Sequence, residues 1–155
     1  MREIDALFVH CSDASDHLGP RVIDRWHKDR GWSGIGYHRV VWCSEGRWVA
    51  SDGRALDQAG AHVAGANSRT IGVCLAGRYD QEAPPQAAYD ALVPLLAVLA
   101  FDHGLEADRV FGHREAELYG APPTPKTCPG SAFDLDDLRE RVRVLLQAMR
   151  VAELR

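Results

Sequence analysis

Three observations predict an α/β domain. Two apolar runs, residues 4–11 and 70–76, are too short for helices and are apolar nearly throughout, as strands buried on both faces are. Segments with helical spacing and end signals lie between and after them, at 20–30, at 84–103 and from Asp134 onward. The chain has 155 residues, 46% of them hydrophobic and 26% charged, which suits one domain with a substantial core.

The first strand, Ile4-Asp5-Ala6-Leu7-Phe8-Val9-His10-Cys11, ends in a histidine and runs into the turn-rich Ser12-Asp13-Ala14-Ser15-Asp16. A histidine there can face a cleft or can be a satisfied residue at the core edge. Pro20 suits a first helical position and Gly31 a C′ position, so 20–30 reads as a helix with Val22, Ile23, Trp26 and Arg30 along one side. His27 in this helix reads as a surface or groove residue and not as a ligand. Tyr37 to Cys43 is a second strand. Alternation sends Tyr37 and His38 to opposite faces, so they do not share a cleft unless a bulge intervenes. Ser44-Glu45-Gly46 is a hairpin turn leading to a short strand at 47–50.

Residues 51–69 are rich in Gly, Ala, Ser and Asn and carry His62 within a long connection of little periodicity. The strand 70–76 is the clearest central one, and Gly72 inside it predicts the close approach of another group. In the helix 84–103 the apolar face is Ala88, Leu92, Leu95, Leu96 and Leu99, and Pro94 predicts a kink or a restart near 90–94. Gly104 closes it, and the strand 109–113 ends in His113. Asp134 can cap the last helix, with Asp137 at N3 and Phe133 stapled to Leu138. Leu138, Val142, Leu145, Leu146 and Met149 form its buried face, and the tail after Arg150 is expected to fray.

A net charge of −4 offers no basic surface for nucleic acid. The N-terminal residues have no apolar signal core and no stretch is long enough to span a bilayer, so the expectation is synthesis in the cytoplasm and no membrane partner. Cys11, Cys43 and Cys74 lie in or beside strands and read as buried free thiols.

Cys128 is different. It lies in Lys126-Thr127-Cys128-Pro129, where four prolines in eight residues (122–129) exclude helix and strand. A thiol in a stiff loop beside an ammonium group is placed to be a thiolate, hence a nucleophile or a metal ligand. Three chemistries stay open at this point. His10, His113 and Cys128 can hold zinc with one tetrahedral position left free. Cys128 can be the nucleophile of a Cys-His hydrolase. It can also be a structural loop thiol unrelated to either histidine.

Matching stretches run along nearly the whole chain: Leu7-Phe8-Val9-His10-Cys11-Ser12, Trp26-His27-Lys28 with Gly31-Trp32, Gly36-Tyr37-His38, Ala61-His62 with Asn67-Ser68, residues 71–77, Gly112-His113, Lys126-Thr127-Cys128-Pro129 and Phe133-Asp134-Leu135. In these the sequence resembles the zinc-dependent N-acetylmuramoyl-L-alanine amidases of the type-2 amidase and peptidoglycan-recognition superfamily, above all the short lysozyme amidases of T-seven-like podoviruses. The resemblance implies one domain over 1–155, a central mixed β-sheet flanked by helices, and zinc on His10, His113 and Cys128. It implies a catalytic cleft lined by Tyr37 and Lys126, and hydrolysis of the amide between N-acetylmuramic acid and L-alanine. Zinc would activate water. Lys126 would stabilise the oxyanion and favour the Cys128 thiolate, and Tyr37 would hydrogen-bond the water or oxyanion and help move a proton. His62 would line the substrate groove, Asn67 would bind glycan or stem peptide there, and His38 would turn into packing. Two departures stand out: Pro94, and a longer, proline-rich segment 115–125 that would reshape one wall of the cleft.

The role implied is a monomeric phage or prophage endolysin that reaches the wall through a separate pore. A cytosolic enzyme recycling anhydro-muropeptides is the first alternative, disfavoured because that branch resembles an Asp-containing zinc site. A non-catalytic wall-binding module is the second, and it would not need Tyr37, Lys126 and Cys128 together. Some phage relatives also bind the phage RNA polymerase, but nothing in this sequence carries that over, the segment before Ile4 being very short.

Overall fold

Strand alternation sorts the side chains onto two unlike faces of one sheet. The computed structural model describes residues 1–155. Its elements are β1 (Ala6–Cys11), α1 (Pro20–Asp29), β2 (Arg39–Ser44), β3 (Arg47–Asp52), β4 (Thr70–Leu75), α2 (Gln86–Asp102), β5 (Val110–Gly112), α3 (Ala116–Tyr119) and α4 (Leu135–Glu153). The strand order is β3-β2-β4-β1-β5. β1 runs parallel to β4 and β5, β2 parallel to β4, and only β2–β3 is antiparallel, so the sheet is mixed. No helix is long and apolar enough to cross a membrane.

One face carries Leu7 and Val9 of β1, Ile71, Val73 and Leu75 of β4, and Val110 of β5. These pack with Leu92, Leu96 and Leu99 of α2 and Leu138, Val142 and Leu146 of α4 in the main core. The other face carries Ala6, Phe8 and Phe111 in one small cluster and Val40, Cys74, Ile23 and Ile35 in another. His10, Thr70 and Gly72 belong to this second face by alternation.

The local expectations hold at most ends. Gly31 and Gly104 follow α1 and α2 with φ of +89° and +66°, the left-handed geometry that closes a helix. Glu45 and Gly46 both have positive φ in the two-residue turn between β2 and β3, the handedness a tight hairpin needs. Asp134 Oδ1 accepts the Asp137 N–H at 3.0 Å, capping α4.

Three expectations are corrected. α2 continues unbroken through Pro94. Pro94 and Asp90, whose carbonyl it leaves without a partner, are both exposed, so water can satisfy the lost bond and the core side keeps its packing. α4 runs on to Glu153 instead of fraying after Arg150, with the Arg150 guanidinium held by Glu106 at 2.9 Å. For His27 the surface alternative is corrected and the groove alternative holds: the residue is buried, its Nδ1 accepts the Gly36 N–H at 2.8 Å and ties α1 to the following loop, and it lines a cavity with Trp26 and Tyr37.

Candidate active site

Strand register brings the two strand-end histidines together. Val9 of β1 opposes Gly112 of β5, and the next residue on each is a histidine. The rings of His10 and His113 are 4.8 Å apart, centre to centre. Cys128 approaches from the proline-rich loop, its Sγ 3.8 Å from His10 Nδ1. One donor atom from each of His10, His113 and Cys128 lies within 4.8 Å of the others. Two imidazole nitrogens and a sulfur are donors that zinc takes, and three of them leave a tetrahedral position for water or substrate. The residues present therefore fit that ion.

The loop carrying Cys128 is pinned from several sides. Asp80 Oδ1 accepts the Thr127 hydroxyl at 2.7 Å and the Ser131 N–H at 2.9 Å. The Arg114 backbone N–H donates to the Cys128 carbonyl at 2.7 Å, and the Arg114 guanidinium donates to Gly130 O and Phe133 O. The peptide Cys128–Pro129 is cis. From β1, the Cys11 N–H points at Cys128 Sγ over 3.2 Å.

The donors open onto a cavity of about 590 Å³. Tyr37 lies in its wall, 5.0 Å from His10 between ring centres. Burial raises the Tyr37 pKa well above its usual value, so the phenol stays an O–H donor. Lys126 is exposed at the rim, between this cavity and an adjoining groove lined by Asn67, Pro122 and Pro123. The proline-rich segment therefore does form one wall. His38 faces away, fully buried, with its Nδ1 accepting the Gly72 N–H at 3.0 Å and its Nε2 2.8 Å from Gln58 O.

His62 packs against His10 and lines both the cavity and the adjoining groove. Its Nδ1 is 2.9 Å from His10 Nε2, and it is buried. Asn67 holds the loop that presents it: Asn67 Oδ1 accepts the N–H groups of His62 at 2.8 Å and Val63 at 3.0 Å. The Asn67 carbonyl is thus committed within its own loop.

The electrostatics correct one expectation. Burial, then the neighbouring histidines and Lys126, hold His10 well below its ordinary pKa. Burial and then Lys126 hold His113 down at about 4. Lys126 therefore acts on the histidines, whereas the Cys128 thiol is pushed up, first by its hydrogen bond with Cys11 and then by burial. The two thiols titrate as a pair: the hydrogen bond between them makes the first proton easier to lose and the second harder.

Sequence reasoning missed Cys11 as a cavity residue and Asp80 as the anchor of the Cys128 loop. It also left out the wall of Trp26, Arg30 and Trp32, where the Arg30 guanidinium lies 5.8 Å from the Trp32 ring centre. Gly31-Trp32 after a helix end was visible as a motif. Nothing in the sequence near Asp80 announces its partners 47 and 51 residues away.

The N-acetylmuramoyl-L-alanine amidase family profile matches residues 1–131. The endolysin of Klebsiella phage KP32 is 34% identical over 141 residues, covering 86% of this chain and 84% of its own. The endolysin of Escherichia phage T7 is 34% identical over 138 residues, covering 84% of this chain and 82% of its own. Among solved structures, the N-acetylmuramoyl-L-alanine amidase LysC from Clostridium intestinale URNW superposes with a TM-score of 0.76, covering 91% of this chain and 86% of that one at 23% identity; this likeness supports the fold.

Proposed function

This chain belongs to the N-acetylmuramoyl-L-alanine amidase family, and from that premise we propose that its cavity hydrolyses the amide between N-acetylmuramic acid and L-alanine of peptidoglycan, with zinc held by His10, His113 and Cys128. The observation that carries the reading is the meeting of these three donors at the floor of the cavity that Tyr37 and Lys126 line. Zinc bound there supplies Lewis acidity and lowers the pKa of a coordinated water towards about 7.

The chain's own residues do the rest. His10, buried and neutral, offers Nδ1 towards the cavity, while His113 and Cys128 complete the donor set from β5 and the pinned loop. The Lys126 ammonium at the rim is a cation for the charge that develops on the scissile carbonyl oxygen. Tyr37, kept protonated by burial, donates a hydrogen bond to the same region and can pass a proton to the leaving amine. The adjoining groove past Asn67, Pro122 and Pro123 gives the glycan or stem peptide a continuation of the cavity. Asn67 contributes there by shaping the loop, its amide nitrogen being the part left to meet substrate.

Residues 1–155 act as one zinc amidase domain, and the role is that of a phage or prophage endolysin working as a monomer. It is made in the cytoplasm and meets the wall after release through a separate pore. The relatives named endolysin, of similar length to this chain, support that role.

The test is mass spectrometry of stem peptides released from purified peptidoglycan, with protein as isolated, after chelation, and after zinc is restored. Peptides with free L-alanine amino termini should vanish with chelator and return with zinc. Zinc uptake without cleavage would point to a recycling substrate or a binding module. Neither cleavage nor zinc would sink the reading.

A further inference from the structure

Behind the metal-facing side of His10 lies a chain of buried hydrogen bonds whose direction can be read from one end. Ala66 O is a carbonyl and can only accept. The Thr70 hydroxyl lies 2.7 Å from it and must spend its single proton there. Thr70 Oγ1 is then free only to accept, and its other neighbour, 3.3 Å away, is His62 Nε2. His62 therefore carries its proton on Nε2 and leaves Nδ1 bare. That bare nitrogen is 2.9 Å from His10 Nε2, which must donate to it. The His10 proton is thereby fixed on Nε2, and the bare Nδ1 faces Cys128 Sγ at 3.8 Å.

The slot for His62 is built into the sheet. A Cβ at Gly72 would meet the ring at 2.6 Å from Cγ and 2.8 Å from Cδ2 and Nδ1, and a Cβ at Gly60 would meet its Cδ2 at 2.6 Å. Thr70, Gly72 and His62 are all buried. The two ring nitrogens have no partners other than His10 and Thr70.

We propose that His62 is a positioning residue: with Thr70 and the Ala66 carbonyl it locks the tautomer and ring orientation of His10, so that Nδ1 is presented to a divalent cation before any cation arrives. This rests on the zinc reading above, and extends it to a residue that would otherwise count as groove lining. Partners of this kind behind ligating histidines typically account for 10–100-fold in metal affinity.

Two measurements test it. The first is ¹⁵N NMR of the histidine rings in zinc-free protein, which reports the tautomer with no metal and no turnover. His10 should be the Nε2–H form in wild type and should lose that fixed state in His62→Ala. The second is zinc affinity by chelator competition, with circular dichroism to verify folding. His62→Ala should weaken zinc by about 10–100-fold. His62→Asn, whose Oδ1 falls near the place of the lost Nδ1, should recover most of it. Thr70→Val, nearly isosteric and without the hydroxyl, should weaken zinc in the same direction and serves if His62→Ala does not fold. Wild type that takes up no zinc overturns the zinc reading and the proposal with it. Wild type that binds zinc, with His62→Ala and Thr70→Val binding equally well, overturns the assignment of His62 alone. An Nδ1–H His10 in the zinc-free wild type does the same.

Discussion

Gly72→Ala is a small change with a large and conditional consequence. The new Cβ would lie 2.6 Å from His62 Cγ and 2.8 Å from its Cδ2 and Nδ1. The ring is held closely, since a Cβ at Gly60 would also meet its Cδ2 at 2.6 Å and Asn67 holds the backbone of its loop. Overpacking of this kind costs about 1–3 kcal/mol. Replacing glycine within a strand returns about 0.5–1 kcal/mol by restricting the unfolded chain. The net loss is therefore about 1 kcal/mol at the middle of these ranges and about 2.5 kcal/mol at most, or a fall in melting temperature of roughly 3 °C and at most about 10 °C for a chain of this size.

The diagnostic step is to repeat the substitution in a His62→Ala background. There the ring is gone, the Cβ fits, and Gly72→Ala should be neutral or stabilising by up to about 1 kcal/mol. Urea unfolding of the four proteins of this cycle reads a coupling of about 1–3 kcal/mol between positions 62 and 72. Equal destabilisation in both backgrounds would refute the slot, because the cost would then come from the strand itself and not from the imidazole.

Lys126→Ala should keep stoichiometric zinc by elemental analysis yet lose about 10²–10³-fold in turnover, as removal of one oxyanion partner does; unchanged turnover would make the lysine a solvated rim charge. Cys128→Ser should abolish tight zinc binding in a chelator competition, and retained stoichiometric zinc would remove the sulfur from the donor set. Chelation itself should leave far-ultraviolet circular dichroism nearly unchanged, because the main core lies on the opposite sheet face from the donors; unfolding on chelation would make the metal structural. Acid should destabilise the protein. His38 is fully buried and held down at about 4 by burial, against an ordinary 6.5. Below pH 6.5 the unfolded chain takes up the proton first, so stability is full above that value and falls as pH drops towards 4, by up to about 3 kcal/mol. A His38→Gln variant that melts with the same slope between pH 6.5 and 4 would contradict this.

The parts of the fold set by local rules were legible. The α4 cap at Asp134, the turn at Glu45-Gly46 and the buried runs of β1 and β4 each announce themselves within a few residues. The donor residues were legible one by one, as strand ends and a stiff loop, but their meeting was not. It depends on Val9 opposing Gly112, a pairing across about a hundred residues that no local pattern encodes. Pro94 shows the limit of a propensity rule. The rule prices a lost hydrogen bond, and an exposed carbonyl at Asp90 makes that price small. His62 shows a different limit. Gly72 correctly signalled that something approaches β4 closely, yet which group fills the space was decided by the path of a loop without periodicity.

The two faces of the sheet explain why a small chain can hold such a site ready. Apolar burial is concentrated on the side of α2 and α4, in a core of 23 residues, so the other face need not carry the fold's stability and can hold histidines. His10 is buried and His113 half-buried, and burial and the Lys126 charge both disfavour their protonated forms. At neutral pH their ring nitrogens already have lone pairs to offer, with no proton to displace. The sulfur is the exception: its proton is held by the neighbouring Cys11 and by burial. A divalent cation held by this donor set would have to displace the Cys128 proton, whereas the histidine nitrogens would need to lose none.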